Sequence, residues 1–321
     1  MGGCLSSRRT SSSDLKPLVL IKPSRTISSL SEQRESFHDR YGFSDRILGH
    51  GSDAIVYEGI DTLTLDLVAI KVIRLRSSFQ LKRQKDLVNN LQRERRILNT
   101  LHHPGIIQLL DYHEEPQQYI MILEFGAGGS LYQRIERDGK LQELECLELF
   151  KNLCDAIKHM HGLNVVHRDI KPENILLKSS IHSRDVMISD FGYATHSFTD
   201  ELEDIVGTPH YMAPEVMLGL LYGKAVDVWS LGVTTFVSLS GSFPFESNTD
   251  MLTRGVTFDD INWTVISDEA KDFIRKCLIV KKKQRFLMSE LVRHPWLRRK
   301  EGTVDEEVCF HICSEDTSFS L

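Results

Sequence analysis

The sequence predicts an α+β fold in two unequal parts, a small β-rich lobe with one main helix and a larger, mostly helical lobe. Three observations predict it. Short apolar and β-branched runs, Ala54-Ile55-Val56-Tyr57, Leu67-Val68-Ala69-Ile70 and Tyr119-Ile120-Met121-Ile122-Leu123, are confined to residues 41–123. One long stretch among them, Leu81 to Leu101, sets Leu87, Leu91, Leu98 and Leu101 on a single helix face. From Ser130 to Trp296 helical spacing takes over, as in Leu144, Leu147, Leu149, Phe150, Leu153, Ile157 and Met160. The expected order is a lobe over 41–123, a hinge over 124–129 and a lobe over 130–297, with the cleft between lobes a common place for a ligand.

The flanks read differently. Residues 1–40 are rich in Ser and Thr and poor in large apolar side chains. Arg8, Arg9, Lys16, Lys22 and Arg25 against Asp14 give +4 in the first thirty residues, so the remainder carries -10 of the total of -6. Such a segment buries too little apolar area to offset the entropy of ordering it and is expected to be a disordered basic tail. Residues 298–321 form a short polar tail. The acidic total argues against nucleic-acid binding. Six scattered cysteines argue against a disulfide framework, and no apolar stretch approaches the ~18 residues of a membrane span.

The first chemical motif is Leu48-Gly49-His50-Gly51-Ser52-Asp53-Ala54-Ile55-Val56. Glycines two apart let backbone amides approach phosphate oxygens, although the same pattern is equally a hairpin turn. Next comes Val68-Ala69-Ile70-Lys71, with Glu94 on the following helix. A lysine ending an apolar strand is either a solvated edge or a fixed cation for phosphate held by a carboxylate. The decisive set follows: Val165-Val166-His167-Arg168-Asp169-Ile170-Lys171-Pro172-Glu173-Asn174, then Asp190-Phe191-Gly192, then Ala213-Pro214-Glu215. With these the sequence resembles a eukaryotic protein kinase over about residues 42–297, which implies the bilobal kinase fold, ATP and Mg2+ as cofactors, and protein substrates.

The resemblance also implies roles. Lys71, paired with Glu94, would hold the α- and β-phosphates, and Asp190 and Asn174 would be the metal ligands. Asp169 would accept the substrate proton while Lys171 neutralises the transferring phosphate. ATP would lie against the loop Leu48, Gly49, His50, Gly51, Ser52, Asp53 and Ala54. Val56, Ala69 and Leu176 would sandwich adenine, and the hinge at Glu124 to Gly126 would bind its edge. Asp227 and Arg285 match scaffold positions, the first anchoring the catalytic loop and the second pairing with Glu215. Ala54 stands where a third glycine is usual, and Asp53 is expected to turn to solvent, away from phosphate.

Lys171 together with Gly207-Thr208-Pro209-His210-Tyr211 resembles the serine/threonine kinases, and the catalytic loop is most similar to the calcium/calmodulin-dependent group. Three residues before Gly207, where many relatives carry a phosphorylated threonine, this chain has Asp204 in the run Asp200-Glu201-Leu202-Glu203-Asp204. Either the run is a solvated acidic loop, or Asp204 pairs with Arg168 and orders the segment without phosphorylation. Arg168, Asp204 and Thr208 are therefore the regulatory candidates, with Ser197 and Thr199 as possible phosphorylation sites. Ser130, and Phe236-Val237, replace acids that basic-substrate relatives use, leaving Glu173.

Met1-Gly2-Gly3-Cys4-Leu5-Ser6 fits the myristoylation pattern at Gly2, with Cys4 open to palmitoylation and a basic stretch behind it. One acyl chain binds membranes only marginally, so a second signal matters. The expected location is the cytoplasmic face of a membrane, the plasma membrane foremost, with a cytosolic catalytic domain and a monomeric chain. No calcium-binding loop and no basic amphipathic helix for calmodulin is recognisable after Trp296. The rival reading is an inactive, membrane-tethered pseudokinase scaffold; it requires loss of Lys71, Asp169 or Asp190, all of which are present.

Overall fold

The computed structural model describes residues 37–51, 53–75, 81–179 and 184–299. Gly2, Cys4, Ser52 and the polar C-terminal tail from residue 300 lie outside them. The described residues form two compact units, residues 37–75 with Asp111–Leu123, and residues 81–110 with 124–299.

The first unit opens on a helical turn, α1 (Phe37–Arg40). The expected tail boundary at residue 40 is therefore corrected: Phe37 is 4% exposed and packs with Tyr41, Val68, Ile70, Val72, Ile120 and Ile122. A single large apolar side chain at the end of a polar tail is enough to fold its last turn. The strands β1 (Tyr41–His50), β2 (Ala54–Asp61) and β3 (Leu67–Arg74) pair as antiparallel neighbours. With β4 (Leu109–Glu115) and β5 (Gln118–Glu124) they make a 5-stranded sheet in the order β1-β2-β3-β5-β4. The central place of β3 explains its unbroken apolar run, since Val68, Ala69, Ile70, Val72 and Ile73 are all buried. The outer strands β1 and β4 alternate poorly and went unseen as runs.

The helix α2 (Leu81–Thr100) occupies the stretch the leucine spacing predicts, burying Leu91, Ile97 and Leu98. It groups with the second unit, not with the β-rich lobe to which sequence order assigned it. After it come β6 (Gly129–Ser130), α3 (Leu131–Asp138) and α4 (Glu143–Gly162). Ser130 and Gln133 cap α3 reciprocally, Ser130 Oγ accepting from Gln133 N at 3.2 Å and Gln133 Oε1 accepting from Ser130 N at 3.0 Å. Short strands follow: β7 (Val165–Val166), β8 (Ile175–Leu177), β9 (Val186–Ile188) and β10 (Thr195–His196). They form a β6-β8-β9 sheet and a β10-β7 pair, which frame the loops carrying the chemistry.

Beyond α5 (Pro214–Met217) runs α6 (Ala225–Ser240), buried from Val226 to Ser240. Its core hydroxyls are satisfied within the helix: Thr234 Oγ1 donates to Ser230 O, Thr235 Oγ1 to Leu231 O and Ser238 Oγ to Thr234 O, each at 2.8 Å. Then come α7 (Asn248–Thr253), α8 (Asp268–Cys277), α9 (Met288–Leu291) and α10 (Pro295–Arg298). Among the described residues no helix is long and apolar enough to cross a membrane.

Candidate active site

In the first unit, the β1–β2 turn closes with Gly51 N donating to Ala54 O at 2.8 Å. Neither Gly49 nor Gly51 has a left-handed φ, and a Cβ at Gly49 would meet nothing within 4 Å. The fold itself does not demand these glycines, so what their bareness provides is an open backbone for a phosphate. Ala54 lacks a left-handed φ too, so alanine in the third glycine's place is unstrained. Asp53 is half-buried instead of turned fully outward. Val56 and Lys71 lie opposite one another in the β2–β3 ladder, and Ala69, two residues before Lys71, shares their face. Three residues assigned to ATP thus sit on one patch of sheet.

In the second unit, Asp227 organises the catalytic loop from the first turn of α6. Its Oδ2 accepts from His167 N at 2.9 Å and its Oδ1 from Arg168 N at 2.8 Å, while His161 Nε2 lies 2.9 Å from Oδ2. Complete burial would raise the Asp227 pKa, but the His161 bond and the nearby histidines overcome this and hold it below the usual carboxylate value. The loop is strained where it is held, for Arg168 has φ 71, a region costly to a residue with a Cβ.

Asp169, the candidate base of the sequence reading, is 4% exposed. Its Oδ1 accepts from Thr208 N at 2.9 Å and from Thr208 Oγ1 at 2.7 Å. Its Oδ2 accepts from Lys171 Nζ at 2.9 Å and from Asn174 Nδ2 at 3.1 Å. Lys171 Nζ also donates to Thr208 Oγ1 at 2.6 Å. Sequence separation hides this: Thr208 lies 39 positions from Asp169. The close approach of Gly207 makes it possible, since with φ 109 a Cβ there would stand 2.5 Å from Arg168 O.

The donor set suits magnesium and a nucleotide. Asn174 Nδ2 donates to both Asp169 O (2.9 Å) and Asp169 Oδ2 (3.1 Å), which commits its nitrogen and leaves its Oδ1 as the hard oxygen that would hold the metal. Asp190, at φ 56, supplies a carboxylate just before Phe191, whose buried ring meets His167 edge-on at 4.8 Å. No cluster of three or more His, Cys, Asp or Glu that could hold a metal ion forms among the described residues. Glu94 is buried on α2, and the preceding Arg93 ties that helix to the Asp190 loop through Nη2 to Gly192 O at 3.2 Å. Glu124 receives Lys178 Nζ at 2.7 Å. A Cβ at Gly126 would stand 3.0 Å from Leu176 Cβ, so the backbone after Glu124 touches the leucine expected to cover adenine.

Around the activation segment, Arg168 donates through Nε to Tyr193 O at 2.7 Å and through Nη1 to Asp204 Oδ2 at 3.1 Å and Tyr222 Oη at 3.0 Å. Of the two alternatives the sequence leaves for the acidic run, the Arg168–Asp204 pair is present. Ser197 is 1% exposed and donates to Thr199 O, so it is removed as a phosphorylation candidate in this conformation. His161 and Tyr222 were missed; no motif marks a residue that acts on the loop's backbone or on Arg168. Arg285 grips Glu215 through two bonds, at 2.6 and 2.9 Å.

A two-unit α+β fold carrying this loop constellation defines a nucleotide-dependent phosphotransferase. Residues 44–297 match the protein kinase domain family, and the chain belongs to that family, with its bilobal fold, its use of ATP and Mg2+ and its protein substrates. It is 37% identical over 274 residues to myosin light chain kinase A of Dictyostelium discoideum, covering 83% of this chain and 91% of that one. It is 38% identical over 237 residues to calcium/calmodulin-dependent protein kinase type 1 of Macrobrachium nipponense, covering 72% and 67%. The human calcium/calmodulin-dependent protein kinase type 1B is 35% identical over 304 residues, covering 91% and 84%. The chain thus stands close to the calcium/calmodulin-dependent kinases.

Proposed function

We propose that this chain is a protein serine/threonine kinase, tethered to the cytoplasmic face of a membrane by acylation at Gly2 and Cys4 and by its basic tail, and active without phosphorylation of its activation segment. The observation that carries the reading is the Asp169–Thr208–Lys171 constellation. A substrate hydroxyl placed at Asp169 gives up its proton to the carboxylate as its oxygen bonds the γ-phosphorus and the bond to the bridging oxygen of ADP breaks. Lys171 faces the same carboxylate and offers the transferring phosphate a cation. Thr208 fixes Asp169 from the activation segment, which supports a serine or threonine acceptor. Magnesium, when held by Asn174 and Asp190, supplies neutralisation of phosphate charge. Lys71 and Glu94 would serve the α- and β-phosphates.

Relatives carry calcium/calmodulin dependence in their names. Here the Arg168–Asp204 pair supports a segment ordered without an activator. The decisive experiment is transfer from ATP/Mg2+ to a library of peptides bearing Ser, Thr or Tyr acceptors, by chain made without other kinases and in excess chelator for calcium, with Asp190→Ala as control. Phosphoserine and phosphothreonine are expected. Phosphotyrosine alone overturns the acceptor class, and no transfer under any condition favours the scaffold. For the membrane, Gly2→Ala should shift the chain from the membrane to the soluble fraction of eukaryotic cells; an unchanged distribution refutes the anchor.

A further inference from the structure

The stretch Lys281-Lys282-Lys283 reads from sequence as a solvated helix end. Its last two lysines open a single 3-10 turn at Lys282–Gln284, and Lys282 is engaged. Lys282 Nζ stands 2.5 Å from the carbonyl oxygen of Leu221 and 3.0 Å from Asp200 Oδ2. These acceptors belong to different segments, Asp200 to the activation segment and Leu221 to the strip that leads into α6. The two segments are joined beside them by a reciprocal backbone bridge, Leu202 N to Tyr222 O at 3.0 Å and Tyr222 N to Leu202 O at 2.9 Å. Asp200 also lies directly over Gly223, where an added Cβ would run into its Oδ1. Gly223 has no left-handed φ, so the space it leaves, not its backbone, is what matters.

The far end of the same acidic run is held as well. Tyr222, 1% exposed, donates through its hydroxyl to Asp204 O at 2.7 Å while accepting from Arg168 Nη1. The run Asp200 to Asp204 therefore closes on the strip Leu221 to Gly223 at both ends. One end uses the arginine that precedes the catalytic aspartate; the other uses Lys282.

We propose that Lys282 is a positioning residue of the kinase reaction, a latch that pins Asp200 and so holds the activation segment where Asp204 meets Arg168 without a phosphate. This rests on the reading of a kinase active in its unphosphorylated form. Four acids in five residues repel one another, and ordering them costs backbone entropy. A fixed cation at the start of the run opposes both. Lys282 is 22% exposed and Asp200 53%, so the pair is screened, and the carbonyl bond is what directs the ammonium.

The test uses the full chain made without other kinases, as wild type, Lys282→Met, Lys282→Arg, Asp200→Asn and the Lys282→Met/Asp200→Asn double variant. Hydrogen exchange at the Leu202 and Tyr222 amides reads the latch whether or not the enzyme turns over. In Lys282→Met we expect these amides to exchange roughly three- to tenfold faster, and kcat to fall by a similar factor with KM for ATP unchanged. Lys282→Arg should restore both, and the double variant should lose no more than the single ones. Unchanged exchange in Lys282→Met overturns the latch, as do additive losses in the double variant. Uniformly faster exchange across α4 and α6 overturns it too, since that marks a merely structural lysine. If the unphosphorylated wild type transfers no phosphate, the underlying reading fails, while the exchange comparison still decides the role of Lys282.

Discussion

Replacing Asp204 by asparagine tests whether one carboxylate does the work that a phosphate does in other kinases. Asparagine keeps the size and an oxygen that can accept from Arg168, and removes only the charge. The Arg168 side chain is 3% exposed and that of Asp204 66%, so the guanidinium is dry and the carboxylate is wet. A hydrogen bond to a buried charge is worth about 1.5–3 kcal/mol, and an exposed ion pair about 0.2–1 kcal/mol. A pair with one partner on each side of that divide should be worth about 1 kcal/mol. Arg168 keeps its bonds to Tyr193 O and Tyr222 Oη, at 2.7 and 3.0 Å, so the variant orphans no buried charge and the loss stays bounded. That corresponds to about a fivefold fall in the ratio of ordered to disordered segment, and to a fall in kcat of up to the same factor. The assay is steady-state phosphorylation by unphosphorylated enzyme at saturating ATP, at low and high salt. Salt should bring wild type toward the variant, because half of the pair lies in water. Unchanged turnover in Asp204→Asn, or a loss indifferent to salt, refutes the reasoning.

Thr208→Val removes the hydroxyl that bonds Asp169 and Lys171 but leaves the backbone amide on Asp169; kcat should fall about ten- to a hundredfold, with Thr208→Ser close to wild type and KM for ATP unmoved. Phe37→Ala empties a site that is 4% exposed in the sheet core, and should lower the unfolding free energy in urea by about 3–5 kcal/mol, through lost apolar burial and the cavity left beside Tyr41 and Ile70. His294 predicts a pH effect. Its pKa is lowered from 6.5, chiefly by burial and further by Lys276, against a raising bond to Asp272. The unfolded chain then takes up a proton that the folded one refuses, so the stability His294 contributes is complete above pH 6.5 and is lost as pH falls below it, by at most about 1.4 kcal/mol per pH unit. The geometry agrees, for His294 Nδ1 accepts from Trp296 N at 3.3 Å and would lose that role on protonation. His294→Asn, which keeps a cap acceptor at the start of α10, should flatten the slope between pH 7 and 5.5 in urea titrations, and a slope identical to wild type would count against it.

The elements that sequence made legible are those whose burial writes a pattern. The strand β3 is buried along most of its length and α2 along one stripe, so each leaves an unmistakable run or spacing. The outer strands β1 and β4 leave none, since their burial alternates weakly and their partners come from elsewhere in the sheet. Phe37 shows the same limit from the other side. One aromatic residue at the end of a serine-rich tail has no periodicity, and only the space beside Tyr41 and Ile70 explains why it folds. The grouping of α2 with the second unit was also illegible, because it depends on what Arg93 meets in the Asp190 loop and not on chain order.

The site divides along a related line. Asp169, Lys171 and Asn174 are legible because the chemistry demands those side chains and a single short loop delivers them. Thr208 was visible only as part of a family resemblance, and its bond to Asp169 spans 39 positions. Lys282 carries no such signature, because a lysine run on a surface is usually solvated. Its engagement with Leu221 O spans 61 positions and depends on a glycine that clears room for Asp200. Side chains that react carry their own signature, whereas those that hold a segment in place carry one only through their partners. The acidic run illustrates the difference: charge alone leaves it a solvated loop, and its meaning comes from Arg168, Tyr222 and Lys282 meeting it at either end. A change in any of those three should therefore be felt first in how long the segment stays closed, and only through that in phosphoryl transfer.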